Sequence, residues 1–264
     1  MSLRFALLAV LVSLLMAGTA VICCAQATGQ LPPHVIACTP TPFAANVDPG
    51  LIAVTVIFDR PMATHGPSPF SSLRGMGFSP AAKDAVPTWS ADGTICTLPV
   101  KLEPGLTYAL TLNSADDRTL ADPDGVTALA FSWVFATGPR TTGEFPTHVV
   151  SSDPPPGALN VDPRKTSISV TFDRPIAPGG HAWVRLRGSG AMPAMSDTPA
   201  RLSADRLTAS VDVTLAPNTV YALSVNDRDY IGYTDTMCHA VLPYAWYFKT
   251  GAGAAGAGGA PPAG

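Results

Sequence analysis

Four carboxylates lie close together in one polar stretch, residues 113–125. They are Asp116, Asp117, Asp122 and Asp124. Calcium binds six to eight oxygen ligands, and an acidic loop between strands can supply several of them. The spacing differs from that of a D-x-D-x-D-G calcium loop, and a solvated loop with Asx turns is the alternative explanation. The stretch is therefore a calcium candidate only, and we expect no other cofactor.

A second polar stretch, residues 226–239, carries two aromatic residues. Tyr230 and Tyr233 lie in it, and tyrosine on a loop can stack against a sugar or contact a protein. Packing of the same rings against the core is the alternative. We predict these two tyrosines as ligand contacts.

The residue types needed for catalysis are scattered along the chain. The five histidines are at positions 34, 65, 148, 181 and 239. No serine lies in a Gly-x-Ser-x-Gly motif, and no His-Glu-x-x-His occurs. We therefore predict that the protein is not an enzyme, and the sequence identifies no metal centre apart from the calcium candidate.

The chain has five cysteines, at positions 23, 24, 38, 96 and 238. If export removes residues 1–27, three remain, so one is unpaired or pairs between chains. Cys38 and Cys96 are the pair to consider for a disulfide, which requires Cα atoms within about 7 Å. Two buried free thiols are the alternative.

The first 27 residues are typical of an export signal. A positive residue precedes an apolar run from Phe5 to Met16, and residues 25–27 have the small-x-small form of a cleavage site. Cleavage after Ala20 is also compatible with the pattern. The run is shorter than the roughly 20 residues of a membrane span, so we predict no span in the mature chain. Lipidation at Cys23 or Cys24 is an alternative.

Composition narrows the class of protein. The chain has 264 residues, a formal net charge of −3, 13% charged residues and 47% hydrophobic residues. The balance of charge argues against a nucleic-acid partner, which needs a concentrated basic surface. The apolar fraction can fill real cores, and the length suits about two domains.

One long repeat organises the chain. Residues 34–61 and 148–175 align without a gap at an offset of 114, and later segments align at 113. Each copy contains an alternating strand, at 52–58 and at 167–172, that ends in Phe-Asp-Arg-Pro. A repeat of this length matches a whole β-sandwich domain of about 100 residues.

Short alternating runs separated by Pro, Gly, Asn and Asp predict an all-β fold with seven strands per repeat. In the second repeat we expect strands near 147–152, 166–173, 182–187, 197–202, 206–214, 219–226 and 243–250. The closing strand of each repeat should turn its aromatic rings toward the core. These residues are Phe131, Trp133, Phe135, Tyr244, Trp246 and Phe248.

The order of motifs resembles a known family. Each copy begins with Val-x-x-x-x-Pro, continues with Asn-Val-Asp-Pro and closes with an aromatic strand ending in Phe-x-Thr-Gly. This order is similar to the bacterial Ig-like domain first described in S-layer proteins, the SbsA Ig-like type. That family has Ser-Glu where this chain has Asp59-Arg60 and Asp173-Arg174. The resemblance implies an Ig-like sandwich without shared catalytic residues, in an extracytoplasmic structural, spacer or adhesive protein.

The start of each repeat has a second resemblance. His34 and His148 stand at the first strand, which is similar to periplasmic copper-binding proteins of the CopC type. In that family the histidine is the mature N-terminus, and its amine helps to hold Cu(II). Cleavage at the predicted sites leaves both histidines internal here.

We therefore predict two tandem Ig-like β-sandwich domains. The predicted segments are a signal peptide at 1–27, a lead at 28–33, domains at 34–138 and 147–251, a linker at 139–146 and a Gly/Ala/Pro tail at 252–264. Two prolines in the linker should hold the domains end to end with restricted bending.

The predicted function is a non-catalytic structural, spacer or adhesive element that is secreted, periplasmic or on the cell surface. Its expected partner is a cell-envelope component or another protein. The alternative is a module that binds carbohydrate, protein or calcium through the loops near 113–125 and 226–239.

Overall fold

The computed structural model describes residues 29–64, 68–73, 75–116, 118–141, 144–196 and 199–253. In this part of the chain the regular structure consists of β-strands, without an α-helix. None of it is a helix with the length and apolar character needed to cross a membrane. The predicted signal peptide and the tail beyond residue 253 lie outside the described residues.

Two sheets form the first repeat. Their strands are β1 (Val35–Thr39), β2 (Ala53–Phe58), β3 (Phe70–Ser72), β4 (Thr88–Trp89), β5 (Ile95–Pro99), β6 (Thr107–Leu112) and β7 (Phe131–Ala136). The strand orders are β1-β2-β5-β4 and β3-β6-β7. Every pairing within these two sheets is antiparallel.

Two further sheets form the second repeat. Their strands are β8 (Val149–Asp153), β9 (Ala158–Val161), β10 (Ser167–Phe172), β11 (Trp183–Arg185), β12 (Ala194–Met195), β13 (Arg201–Leu202), β14 (Thr208–Thr214), β15 (Val220–Val225) and β16 (Tyr244–Thr250). One sheet has the order β12-β14-β10-β8, with β13 also on β14, and the other has the order β11-β15-β16-β9.

The two repeats have equivalent topology. The order β1-β2-β5 corresponds to β8-β10-β14, and β3-β6-β7 corresponds to β11-β15-β16. No sheet in the described residues combines strands from both repeats. The predicted all-β sandwich fold is confirmed.

Alternation along the strands produces the cores as predicted. In β10, Ile168, Val170 and Phe172 are buried in one apolar cluster together with Trp246 and Phe248. Residues between them on β10 are only half-buried, because successive side chains of a strand point to opposite faces. The first repeat has the same arrangement, with Trp133 and Phe135 in its core.

The prediction of seven strands in the second repeat missed β12 and β9, and β9 overlaps the Asn-Val-Asp-Pro motif that was interpreted as a turn. Asn160 has a φ of +62°, yet the segment pairs in parallel with β16. Its counterpart in the first repeat follows the same path, because Val47 N–H donates to Ala136 O at 3.0 Å and Ala136 N–H donates to Ala44 O at 2.8 Å. Parallel pairing joins segments far apart in sequence, so no local pattern announces it.

The Asp-Arg pair after each central strand fixes the chain that enters the repeat. Asp173 accepts a hydrogen bond from His148 N–H at 2.9 Å. Arg174 donates to the same carboxylate at 2.6 Å and to Phe145 O at 3.2 Å. Asp59, Arg60, His34 and Leu31 make the equivalent contacts in the first repeat. The departure from Ser-Glu therefore has a structural role.

The repeats are joined by packing as well as by the linker. A buried apolar cluster combines Val134 and Ala136 of the first repeat with Phe145 of the linker and Leu242 of the second repeat. On the same side, the rings of Phe43 and His148 stack with centroids 4.0 Å apart. These contacts join the repeats in addition to the linker, whose restricted bending stays a prediction.

Candidate functional site

The two loops that the sequence singled out contact each other across the repeat junction. Ala115 N–H donates to the Asp227 carboxylate at 2.9 Å, and the Tyr230 hydroxyl donates to the Asp116 carboxylate at 2.9 Å. Asp227 is buried, and this burial raises the pKa of its carboxyl. The candidate site is therefore composed of residues from both repeats.

A cleft with a volume of about 480 Å³ lies at this contact. We call it the junction cleft. Ala115 and Asp116 form the side that belongs to the first repeat. The other side is lined by residues 181–185, Arg187 and residues 230–232 of the second repeat. Its volume is within the roughly 300–1,000 Å³ that is usual for small-ligand sites.

Asn226 holds the loop that carries Tyr230. It is fully buried and has a φ of +54°, which asparagine tolerates better than most residues. Its amide donates to Tyr233 O and Val241 O, both at 2.9 Å. Its side-chain oxygen accepts from Gly232 N–H at 3.0 Å and Tyr233 N–H at 2.8 Å. One side chain thus fixes both ends of the loop.

Two glycines allow close backbone approach beside the junction cleft, which Gly232 lines. A Cβ at Gly180 would collide with Gly232 O, and a Cβ at Gly232 would collide with His181 O. Only glycine allows two backbones to approach this closely. The loop before β11 and the loop after β15 are therefore held side by side.

The structure separates the two predicted ligand tyrosines. Tyr230 is 50% exposed and lines the junction cleft. Tyr233 is 0% exposed, and its ring packs against Phe172 and Trp183 in the core. Burial raises the pKa of Tyr233 to about 12. The prediction that Tyr233 contacts a ligand is wrong, because its ring is enclosed by core residues that are distant in sequence.

The calcium candidates do not share one environment. Asp116 accepts the Tyr230 hydroxyl. Asp122 is buried, and its carboxylate accepts from the N–H groups of Asp124 and Val126 at 3.1 and 2.9 Å. Asp124 is exposed, and Asp117 lies outside the described residues. Within the described residues no group of three or more His, Cys, Asp or Glu side chains is arranged to hold a metal, and calcium binding stays a prediction.

The disulfide considered between Cys38 and Cys96 is not formed, and the alternative of two buried free thiols holds; Cys238 is also a free thiol. Cys38 and Cys96 both pair with Val56, from opposite sides of β2. Two strand spacings put their Cα atoms about 10 Å apart, beyond the reach of a bridge. The two cysteines cannot form a bridge because β2 lies between β1 and β5, the strands that carry them.

Burial should make two of these thiols unreactive in the native protein. It raises the pKa of Cys38 to about 11 and that of Cys96 to about 12, whereas Cys238 is exposed. Since the thiolate is the reactive form, Ellman's reagent at pH 8 should react rapidly with Cys238 only among these three. Cys238→Ser should remove one equivalent from the fast phase. Loss of a fast equivalent in Cys96→Ser would contradict this assignment.

His34 and His148, which carry the resemblance to copper-binding proteins, both have structural contacts. His148 is buried, and its Nδ1 lies 3.1 Å from Pro146 O. The ring of His34 lies 5.3 Å from that of Tyr247. Each backbone N–H is bound to the aspartate of its own repeat, so the position of both residues is explained without a metal.

The comparison with protein families concerns the second repeat. Residues 144–250 match the bacterial Ig-like domain family. The matched segment contains every strand from β8 to β16. The matched segment therefore includes all lining residues of the junction cleft that belong to the second repeat. A comparison with curated proteins gives no match.

Solved structures match this chain at low sequence identity and low TM-score. Domains 1–6 of the surface layer protein SbsC match with 14% identity and a TM-score of 0.27, covering 83% of this chain and 26% of that chain. The S-layer protein rSbsC(31-844) matches with 13% identity, a TM-score of 0.27 and coverages of 80% and 26%. Dpr2 Ig1-Ig2 in complex with DIP-Theta Ig1-Ig3 matches with 9% identity, a TM-score of 0.24 and coverages of 83% and 95%. This chain thus spans about a quarter of the SbsC structures, and similarity at these scores carries no functional inference.

Proposed function

We propose that the chain is a non-catalytic structural module of the cell envelope, made of two bacterial Ig-like domains of the S-layer type at 34–138 and 147–251. The two domains act as one rigid unit that spaces or presents neighbouring parts of the cell surface. Export through the segment 1–27 delivers it outside the cytoplasm. A cell-envelope component or another protein is its partner.

The buried cluster between the repeats carries this proposal. Phe145 and Leu242 lie outside the sheets, yet both are almost fully buried, at 3% and 5% exposure. They contact Val134 and Ala136 on the outer face of β7. Domains joined only by a linker move independently by default, whereas a buried apolar contact restricts that motion.

The proposal predicts that the two repeats unfold together. Calorimetry of the native protein should give one cooperative transition, and the double variant Phe145→Ala/Leu242→Ala should give two, because each repeat keeps its own core. Small-angle scattering should show a broader distribution of dimensions for the variant than for the native protein. Two transitions in the native protein, unchanged by the substitutions, would refute the rigid unit.

The matched control changes apolar residues away from the cluster. Ile36 and Val150 occupy equivalent positions on β1 and β8 and are 59% and 57% exposed. Ile36→Ala/Val150→Ala should leave the single transition intact, since exposed substitutions usually change stability by less than about 0.5 kcal/mol. A split transition in this control would assign the effect to the strands instead of the junction.

A further inference from the structure

We propose that the junction cleft binds an acidic saccharide, with Arg185 and Arg187 holding a sugar carboxylate beside the Tyr230 ring. This activity goes beyond that of a rigid spacer. It would allow the pair of repeats to attach to a uronic-acid-containing polymer. Three features of the cleft support this proposal: guanidinium groups without acidic partners, an exposed ring held by a hydrogen bond, and a suitable volume.

Among the described residues, the two arginines of the cleft differ from five other arginines in lacking an acidic partner. Five arginines each donate to a nearby aspartate, and these are Arg60, Arg164, Arg174, Arg201 and Arg228. Arg185 and Arg187 are exposed, line the junction cleft and have no ion pair with any described residue. A guanidinium presents a rigid fork of donors that matches a carboxylate, so an anionic group is the complement of this side of the cleft.

The Tyr230 ring adds an apolar surface next to these charges. Its hydroxyl donates to Asp116, and the residue is 50% exposed where it lines the cleft. Ile231, 44% exposed, lies next to it in the lining. A pyranose has one face of C–H groups, and a uronic acid adds a carboxylate at the edge of that ring. The cleft therefore offers a complement to both parts of such a sugar.

An acidic peptide is the less suitable occupant. A bound peptide adds affinity by pairing its backbone with the edge of a sheet, and β11 is the edge strand at the cleft. It has only three residues, and its neighbouring loops are packed against each other at Gly180 and Gly232. The available edge is too short for an extended chain, whereas a compact sugar needs none.

Titration of the full chain with trigalacturonate tests the proposal. Trp183 lines the junction cleft, so tryptophan fluorescence and calorimetry can both follow binding. We expect saturable binding that weakens at least tenfold in Arg185→Gln/Arg187→Gln. Arg185→Lys/Arg187→Lys should give an intermediate loss, because lysine keeps the charge without the fork. Arg164→Gln, which removes one positive charge at a side chain that is 80% exposed and does not line the cleft, should bind as the native protein does.

Each remaining outcome contradicts the proposal. No saturation at millimolar trigalacturonate would overturn it, as would equal binding of uncharged maltotriose. If Arg164→Gln weakened trigalacturonate binding equally, the loss of affinity would be explained by net charge and not by contacts in the cleft. Tighter binding of tetraglutamate than of trigalacturonate would replace the saccharide with a peptide. The melting temperature of every variant should match that of the native protein, because all substituted arginines are exposed.

Discussion

Asn226→Ala is expected to lower the free energy of unfolding by about 4 kcal/mol or more. The substitution removes four hydrogen bonds in a fully buried site. Each buried backbone group left without a partner costs about 1–3 kcal/mol. Alanine in the left-handed conformation adds about 1 kcal/mol. Urea unfolding followed by circular dichroism measures the loss.

Asn218→Ala is the matched control for the backbone contribution. Asn218 also has a positive φ, +51°, but it is exposed, and its side chain has no hydrogen bond to a described residue. Its loss should be about 1 kcal/mol. Equal losses at Asn218 and Asn226 would show that backbone strain, and not the hydrogen bonds, makes Asn226 necessary.

The first repeat contains an equivalent buried asparagine, Asn113. Asn113 has a φ of +54° and donates to Leu120 O and Ala128 O at 3.0 and 2.9 Å, while it accepts from Leu120 N–H at 3.1 Å. Both acidic loops therefore begin with a buried asparagine that closes them. The same asparagine explains why each loop keeps its shape at the repeat junction.

Trp246→Ala should cost about 3–5 kcal/mol, the usual range for removing a buried aromatic side chain. Trp246 is 0% exposed, and its ring lies 5.5 Å from that of Tyr244 and 6.0 Å from that of Trp183. Alanine leaves a cavity that these rings cannot fill without shifting. Denaturant unfolding monitored in the far ultraviolet checks the value.

Two companion variants interpret that result. Lys249→Ala, on the same strand but only half-buried, should change stability by less than about 0.5 kcal/mol. Trp246→Phe should cost less than Trp246→Ala, since it keeps most of the ring and removes an Nε1–H group that has no hydrogen-bond partner among the described residues. If Trp246→Ala were tolerated within 1 kcal/mol, the inward orientation of the closing strand would be wrong.

The cores were predictable because they depend on local alternation. The period of two in β10 and in β16 predicts that Val170 and Trp246 point inward, and both are buried in the structure. Tyr233 belongs to the same class of information but lies in a loop, where the period is absent. Its burial depends on Phe172 and Trp183, which are distant in sequence.

Contacts across the repeat junction were not predictable. Asp116 and Tyr230 are 114 positions apart. The sequence indicated one as a calcium candidate and the other as a ligand contact, in two separate loops. The arginines at 185 and 187 gave no signal in the sequence, because isolated arginines are common on any solvent-exposed strand. Glycines at 180 and 232 gave a weak signal of close approach, without identifying what they approach.

Taken by itself, the sequence determined the all-β class, the repeated unit and the inward faces of its strands, because these follow from periodicity within a few residues. Only the tertiary structure decided that Cys38 and Cys96 are separated by β2, that Asn226 closes a loop and that the two acidic loops meet in one cleft. Such features depend on which distant segments are brought together, and at the repeat junction the apolar cluster at Phe145 buries surface of both repeats.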